Sequence, residues 1–124
     1  MANRRPQYLN LFRIKLPLPG VVSFLHRVSG ALLFIAIPLF LAVFQLTLDS
    51  AETFEKVKQI VGNPLVKLVL ILLLWGFRHH FFASLRFLAM DMGLGMALGK
   101  TRRNSWLVLA FGLALTAMIG GWLW

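Results

Sequence analysis

Charge and hydropathy alternate along this chain in blocks rather than residue by residue. Three long apolar runs stand out, with polar residues gathered at their edges. The first span is expected from about Val21 to Leu48. Its opening turns, "VVSFLHRVSG", are polar on one side, and Ala31 to Leu48 carries no charge. Pro38 lies inside it, where a membrane helix tolerates proline with a kink. The second span is expected from about Pro64 to Met90; proline suits the first turn, where the N–H it lacks has no helical partner. The third, Ser105 to Trp124, is charge-free and ~30 Å long at 1.5 Å per residue, one hydrocarbon thickness. Trp106, Trp122 and Trp124 mark its two ends, where indoles favour the headgroup zone. Between the first two spans, Ala51 to Val61 could form a short interfacial helix.

Composition agrees with the pattern. Of the 124 residues, 59% are hydrophobic and 14% charged, and mean hydropathy is +0.78. A soluble domain of this size leaves too much surface in water to hide that apolar content. The expected fold is all-α, one integral membrane domain of three transmembrane helices with an N-terminal segment over residues 1–20. The net charge of +9 would suit nucleic acid, but the cations cluster outside the apolar runs. That distribution points to membrane topology instead, and nucleic-acid binding is set aside. Arg4, Arg5, Arg13 and Lys15 precede the first span; Lys100, Arg102 and Arg103 precede the third. The loop after the first span mixes Asp49, Glu52 and Glu55 with Lys56 and Lys58. The positive-inside rule therefore places the N-terminus and the second loop in the cytoplasm, and the first loop and C-terminus outside. The N-terminus lacks the short apolar core and cleavage site of a signal peptide, so the first span is expected to stay. With no cysteine, disulfides, thiolate-bound metal and Cys-held iron–sulfur clusters are excluded within the chain.

Two stretches put polar chemistry where it is costly. In the second span "LVLILLLWGF" runs into "RHHFFASLRFLAMD", which holds Arg78, His79, His80, Arg86 and Asp91. An Arg or Asp at a helix centre costs ~2.5–3.5 kcal/mol on insertion scales, so such groups need partners or a task. His80, Ser84 and Asp91 share nearly one face; His79 is turned ~100° away. His80 lies ~16 Å from Asp91, close to mid-membrane, and is expected to point into the helix bundle. A neutral imidazole there can ligate haem iron through Nε2 while Nδ1–H is donated to a carbonyl, or it can simply hydrogen-bond between helices. In the first span Ser23 and Arg27 share a face one turn apart, with His26 flanking them. They could meet a quinone carbonyl, and His26 and Arg27 could neutralise haem propionates; equally, Arg27 could anchor to headgroups and Ser23 could cap the helix. In the third span Gly112, Thr116 and Gly120, beside Ala117 and Gly121, form a helix-packing face. Met90, Met92 and Met96 read as flexible fillers.

The stretch "RPQYLNLFRIKLPLPGVVSFLHRVSG", a hydrophobic helix, and then "HFFASLRFLAMDMG" together resemble the cytochrome b membrane-anchor subunit of bacterial succinate dehydrogenase, respiratory complex II. The likeness covers almost the whole chain and includes the Arg5-Pro6 opening and S-x-x-H-R-x-S-G at Ser23 to Gly30. The second motif of that family reads H-x-x-x-G-x-R-H-x-x-x-D; His80, Arg86 and Asp91 match it, while Ser84 replaces the glycine and Phe87 the second histidine. The resemblance implies a bundle completed by a second, smaller three-helix anchor subunit, each chain giving one axial histidine to a shared haem b. It further implies flavoprotein and iron–sulfur subunits held on the cytoplasmic face of the inner membrane, with electrons from succinate passed to ubiquinone. On this likeness His80 is the axial ligand, Ser23 and Arg27 serve quinone, His26 and Arg27 the propionates, and Ser84, Arg86 and Asp91 support the site. A haemless structural anchor and a small proton or ion conductor lined by His26, His80, Arg86 and Asp91 are the alternatives.

Overall fold

The computed structural model describes residues 13–124; Arg4, Arg5 and the Arg5-Pro6 opening lie outside the described residues. Among the described residues four helices follow one another: α1 (Leu18–Asp49), α2 (Ala51–Gly62), α3 (Pro64–Asp91) and α4 (Leu98–Leu123). Three of them, α1, α3 and α4, are long and apolar enough to cross a membrane.

Local sequence accounts for the boundaries. Pro17 is the N-cap of α1 and Pro19 stands in its first turn, where the missing N–H costs nothing. Pro38 is accommodated within α1. A single residue, Ser50, separates α1 from α2. Its hydroxyl accepts from the Thr53 amide at 3.2 Å, and its own amide donates to Thr53 Oγ1 at 3.1 Å. That reciprocal cap stops one helix and starts the next. The short helix expected in this loop from Ala51 to Val61 is α2, laced by Lys56–Glu52 at 2.6 Å and Lys58–Glu55 at 3.4 Å. Asn63 then caps α3, its Oδ1 accepting from the Leu65 amide at 2.9 Å, with Pro64 at the first helical position.

The third span differs from expectation at its start. The charge-free run begins at Ser105, but α4 begins at Leu98 and carries Lys100, Arg102 and Arg103 on its first turns. Hydropathy marks where hydrocarbon begins, whereas backbone hydrogen bonding continues through good helix formers such as Lys and Arg. The connection from α3 consequently shrinks to residues 92–97. It turns on Gly93 (φ +78°) and Gly95 (φ +73°), and Thr101 Oγ1 ties it down by donating to the Gly95 carbonyl at 2.9 Å.

Packing places α3 between α1 and α4, which also touch each other. Val22, Ala83 and Val108 form the core, one from each spanning helix, flanked by Phe82, Phe87 and Leu109. Gly112, Thr116 and Gly120 are buried, the packing face expected of the third span. A Cβ at Gly112 would meet the backbone of His79 at 3.8 Å, and one at Gly120 would meet Ile71 at 3.5 Å. Small residues let the helices approach. Ala117 and Gly121 on the adjacent stripe are exposed. Elsewhere the large apolar side chains of α1, Phe34, Leu39 and Phe44 among them, face outward, as acyl chains require.

Substitution in the α3–α4 turn should separate two costs. Gly93→Ala meets open space and only the positive φ, a loss of about 1–2 kcal/mol. Gly95→Ala adds a Cβ 2.7 Å from Asn104 Nδ2 and should destabilise more. Thermal unfolding in detergent, followed by circular dichroism, checks the ranking; equal melting temperatures would contradict it.

Candidate functional site

The polar turn opening α1 lies against the middle of α3, and two glycines set how closely. Gly76 of α3 is buried opposite Ser29, and a Cβ on Gly30 would stand 3.0 Å from His80 Cε1 and 3.4 Å from its Nδ1. Any side chain at position 30 would push the imidazole away. With glycine there, the ring of His80 reaches the α1 backbone. Its Nδ1 is 3.1 Å from the carbonyl of His26. A carbonyl can only accept, so Nδ1 carries the proton and Nε2 keeps the lone pair. Ser29, almost fully buried, donates to the same carbonyl at 3.0 Å and turns its oxygen toward His80 Nδ1 at 3.4 Å.

His26 belongs to the same cluster. Its ring stacks on that of His80 with centroids 4.2 Å apart and planes 11° from parallel. Its Nε2 lies 2.9 Å from Ser84 Oγ, and Ser84 donates its own proton to the His80 carbonyl at 2.8 Å. Ser84 therefore accepts from His26 Nε2–H, which leaves Nδ1 of His26 as a bare acceptor. Phe87 closes the cluster, its ring 5.2 Å from that of His26. The two family departures noted in the sequence thus have work here: the hydroxyl of Ser84 orients His26, and the ring of Phe87 packs beside it.

The neighbouring histidines divide differently from expectation. It is His79 that lies wholly inside the bundle, with no exposed surface. His80 occupies the flank of the α1–α3 groove and is half-buried. The ~100° between successive helical residues turns His79 toward the three-helix core, between the Val22 carbonyl at 3.4 Å and Gly112, and turns His80 toward the open side. Trp75 stacks against His79 at 5.5 Å.

The remaining candidates gather only in part. Ser23 is half-buried and Arg27 exposed on one side of α1, and neither side chain is engaged in a hydrogen bond or ion pair among the described residues. Ser84 joins His80, but Arg86 does not. Six residues on, it turns ~120° away from His80 and is buried, its guanidinium 5.2 Å over the Phe87 ring. Asp91 ends α3 on an exposed surface. Ser29 and Gly30 were legible only as letters of the S-x-x-H-R-x-S-G stretch; their role depends on which residue of α3 comes opposite. Among the described residues no group of three potential metal ligands exists.

Residues 1–119 match the family described as succinate dehydrogenase/fumarate reductase transmembrane subunit. The chain belongs to this family. It is 30% identical over 125 residues, the full length of both chains, to the succinate dehydrogenase cytochrome b556 subunit of Coxiella burnetii. To the subunit of that name in Rickettsia felis it is 25% identical over 117 residues, covering 94% of this chain and 91% of the relative. The resemblance drawn from the sequence motifs therefore holds. As a succinate dehydrogenase/fumarate reductase transmembrane subunit with three candidate spans, the chain is a multi-pass membrane protein of an assembly with other subunits.

Gly30→Ala tests the close approach directly. The added methyl should force the His80 ring out of its place, at a cost of ~1–3 kcal/mol typical of overpacking. Because the natural chain has no cysteine, a single cysteine pair placed across the α1–α3 groove reports the helix separation. Slower disulfide formation in the alanine variant is expected, and an unchanged rate would show that the ring is free to move.

Proposed function

We propose that this subunit is a cytochrome b anchor that holds haem b between itself and a second, smaller membrane-anchor subunit, and that it forms part of a ubiquinone-reduction site. The observation that carries this reading is the fixed tautomer of His80. Nδ1–H is committed to the His26 carbonyl, so Nε2 offers its lone pair on the open flank of the groove. His80 would hold haem iron through that nitrogen, since a ligating imidazole has its second nitrogen held by a carbonyl. Gly30 leaves the ring room to stand there, so the residues fit the group. Bound haem would supply one-electron redox chemistry. His26 stacks parallel on His80 and gives its Nε2–H to Ser84, so its part is to support His80 and not to hold the haem iron. A histidine of the partner anchor would supply the other ligand.

Ser23 and Arg27 form the quinone-facing part of the proposal. The oxygen of a quinone carbonyl gains negative charge as the ring is reduced; a serine O–H can donate to it and a guanidinium can neutralise it. Arg27 is also the principal counter-charge for propionates. His26 can assist there only with a second proton on Nδ1, because its first is given to Ser84. The names of the relatives, succinate dehydrogenase cytochrome b556 subunits, support the haem. The positive-inside rule supports an inner-membrane orientation with the N-terminus and the α3–α4 turn cytoplasmic, facing the iron–sulfur and flavoprotein subunits, and the C-terminus periplasmic. A haemless anchor is the second reading, favoured by the ties of the His26–His80 stack to Ser84, Ser29 and the His26 carbonyl, which engage one nitrogen of each ring within the protein.

Reduced-minus-oxidised spectra of the purified complex separate the two. A b-type band is expected, lost in His80→Ala and kept in His79→Ala; a wild-type complex without the band would establish the haemless anchor. Ser23→Ala or Arg27→Leu should lower quinone reduction ~10–100-fold, the kinetic equivalent of losing a hydrogen bond to a charged group. Succinate oxidation by a soluble artificial acceptor should stay unchanged, and a parallel fall in both activities would mean misfolding.

A further inference from the structure

Arg78 has no part in the site just described, and its position in the membrane demands an explanation. It lies ~20 Å from either end of α3, level with the histidines. Two residues from His80, it points ~200° around the helix, away from the α1–α3 groove. The side chain is only partly covered, yet its Nε is buried and has no hydrogen-bond partner among the described residues. The stripe along which it projects is apolar: Leu74 and Phe81 lie within about a turn of it, and Leu85 two turns on lies within ~20° of the same direction.

The anion that such a cation requires is absent from the chain. There are four acidic residues in the whole sequence: Asp49, Glu52, Glu55 and Asp91. Glu52 and Glu55 are paired with lysines on α2, Asp49 ends α1, and Asp91 ends α3. None is at the depth of Arg78. A second copy of the chain would bring another arginine and no carboxylate, so self-association through this face is disfavoured. Lipid phosphates lie at the membrane surface, not at its centre. Charged side chains at this depth are kept when they pair with a group from a neighbouring helix.

We infer that the face of α3 around Arg78, Phe81 and Leu85 is a second interaction surface, covered by a membrane-spanning helix of another chain that carries an Asp or Glu near mid-bilayer. The pairing is with a carboxylate because guanidinium and carboxylate match in shape and charge, and because water is excluded there. This surface is on the opposite side of α3 from His80, so it exists whether or not His80 holds haem.

Photo-crosslinking in native membranes tests it with Arg78 intact. A benzophenone side chain at Leu85 should attach to a peptide from another chain whose apolar run contains an acidic residue, identified by mass spectrometry. The same probe at Leu39, on the outward face of α1, serves as the control and should not reach that peptide. In the purified complex, Arg78→Asp should reduce recovery of the crosslinked chain at least tenfold relative to this subunit, and Arg substituted for the partner's acid should restore it. Arg78→Lys should retain most of the recovery. Attachment of the Leu85 probe to lipid alone would overturn the inference, as would wild-type recovery of every chain with Arg78→Leu. If Arg78→Asp removes this subunit itself from the membrane, the crosslink from Leu85 still decides.

Discussion

The contact of α1 with α3 at Gly30 is the constraint on which the rest of this structure depends. One missing Cβ lets the imidazole of His80 lie within reach of the α1 backbone. From that contact follow the tautomer of His80, the shared carbonyl of His26, the donation from Ser29 and the stacking of the two rings. In hydrocarbon each of these polar atoms needs a partner from protein, because no water is there to supply one. The cluster meets much of that need, engaging one nitrogen of each ring and leaving Nδ1 of His26 and Nε2 of His80 as acceptors.

The same economy explains how four residues within one short stretch of α3 take unrelated roles. Arg78, His79, His80 and Arg86 are close in sequence but point in three directions, set by the ~100° step of the helix, with Arg86 two turns beyond His79 on nearly the same inward face. His79 fills the space between α1 and α4 and acts as core. His80 takes the groove, Arg86 the buried end of the bundle beside Phe87, and Arg78 the opposite outer face. Polar residues in one span thus report on several neighbours rather than one site. The family membership implies other subunits around this chain.

Stability and function draw on different parts of the molecule. Gly112, Thr116 and Gly120 hold α4 against α3 without any ionisable group, and the α3–α4 turn rests on two positive-φ glycines. The polar turn of α1 has its side-chain ties to α3. Arg27 is exposed and Ser23 half-buried at its edge, neither side chain engaged among the described residues.

How much of this was legible beforehand follows from the physics of each feature. Span positions, the proline at the start of α3, the small-residue face of α4 and the family motifs are local or periodic properties, and hydrophobic runs long enough to cross a bilayer admit few other folds. The start of α4 escaped because the limit of hydrocarbon and the limit of helix are different things. The assignment of inside and flank to His79 and His80 also lay beyond the sequence: helical spacing states that the two diverge, but not which neighbour lies on which side. That choice belongs to the packing of α1 and α4 around α3. So does the use of Ser84, Ser29 and Gly30, whose value arises only when residues more than fifty positions apart are brought into contact.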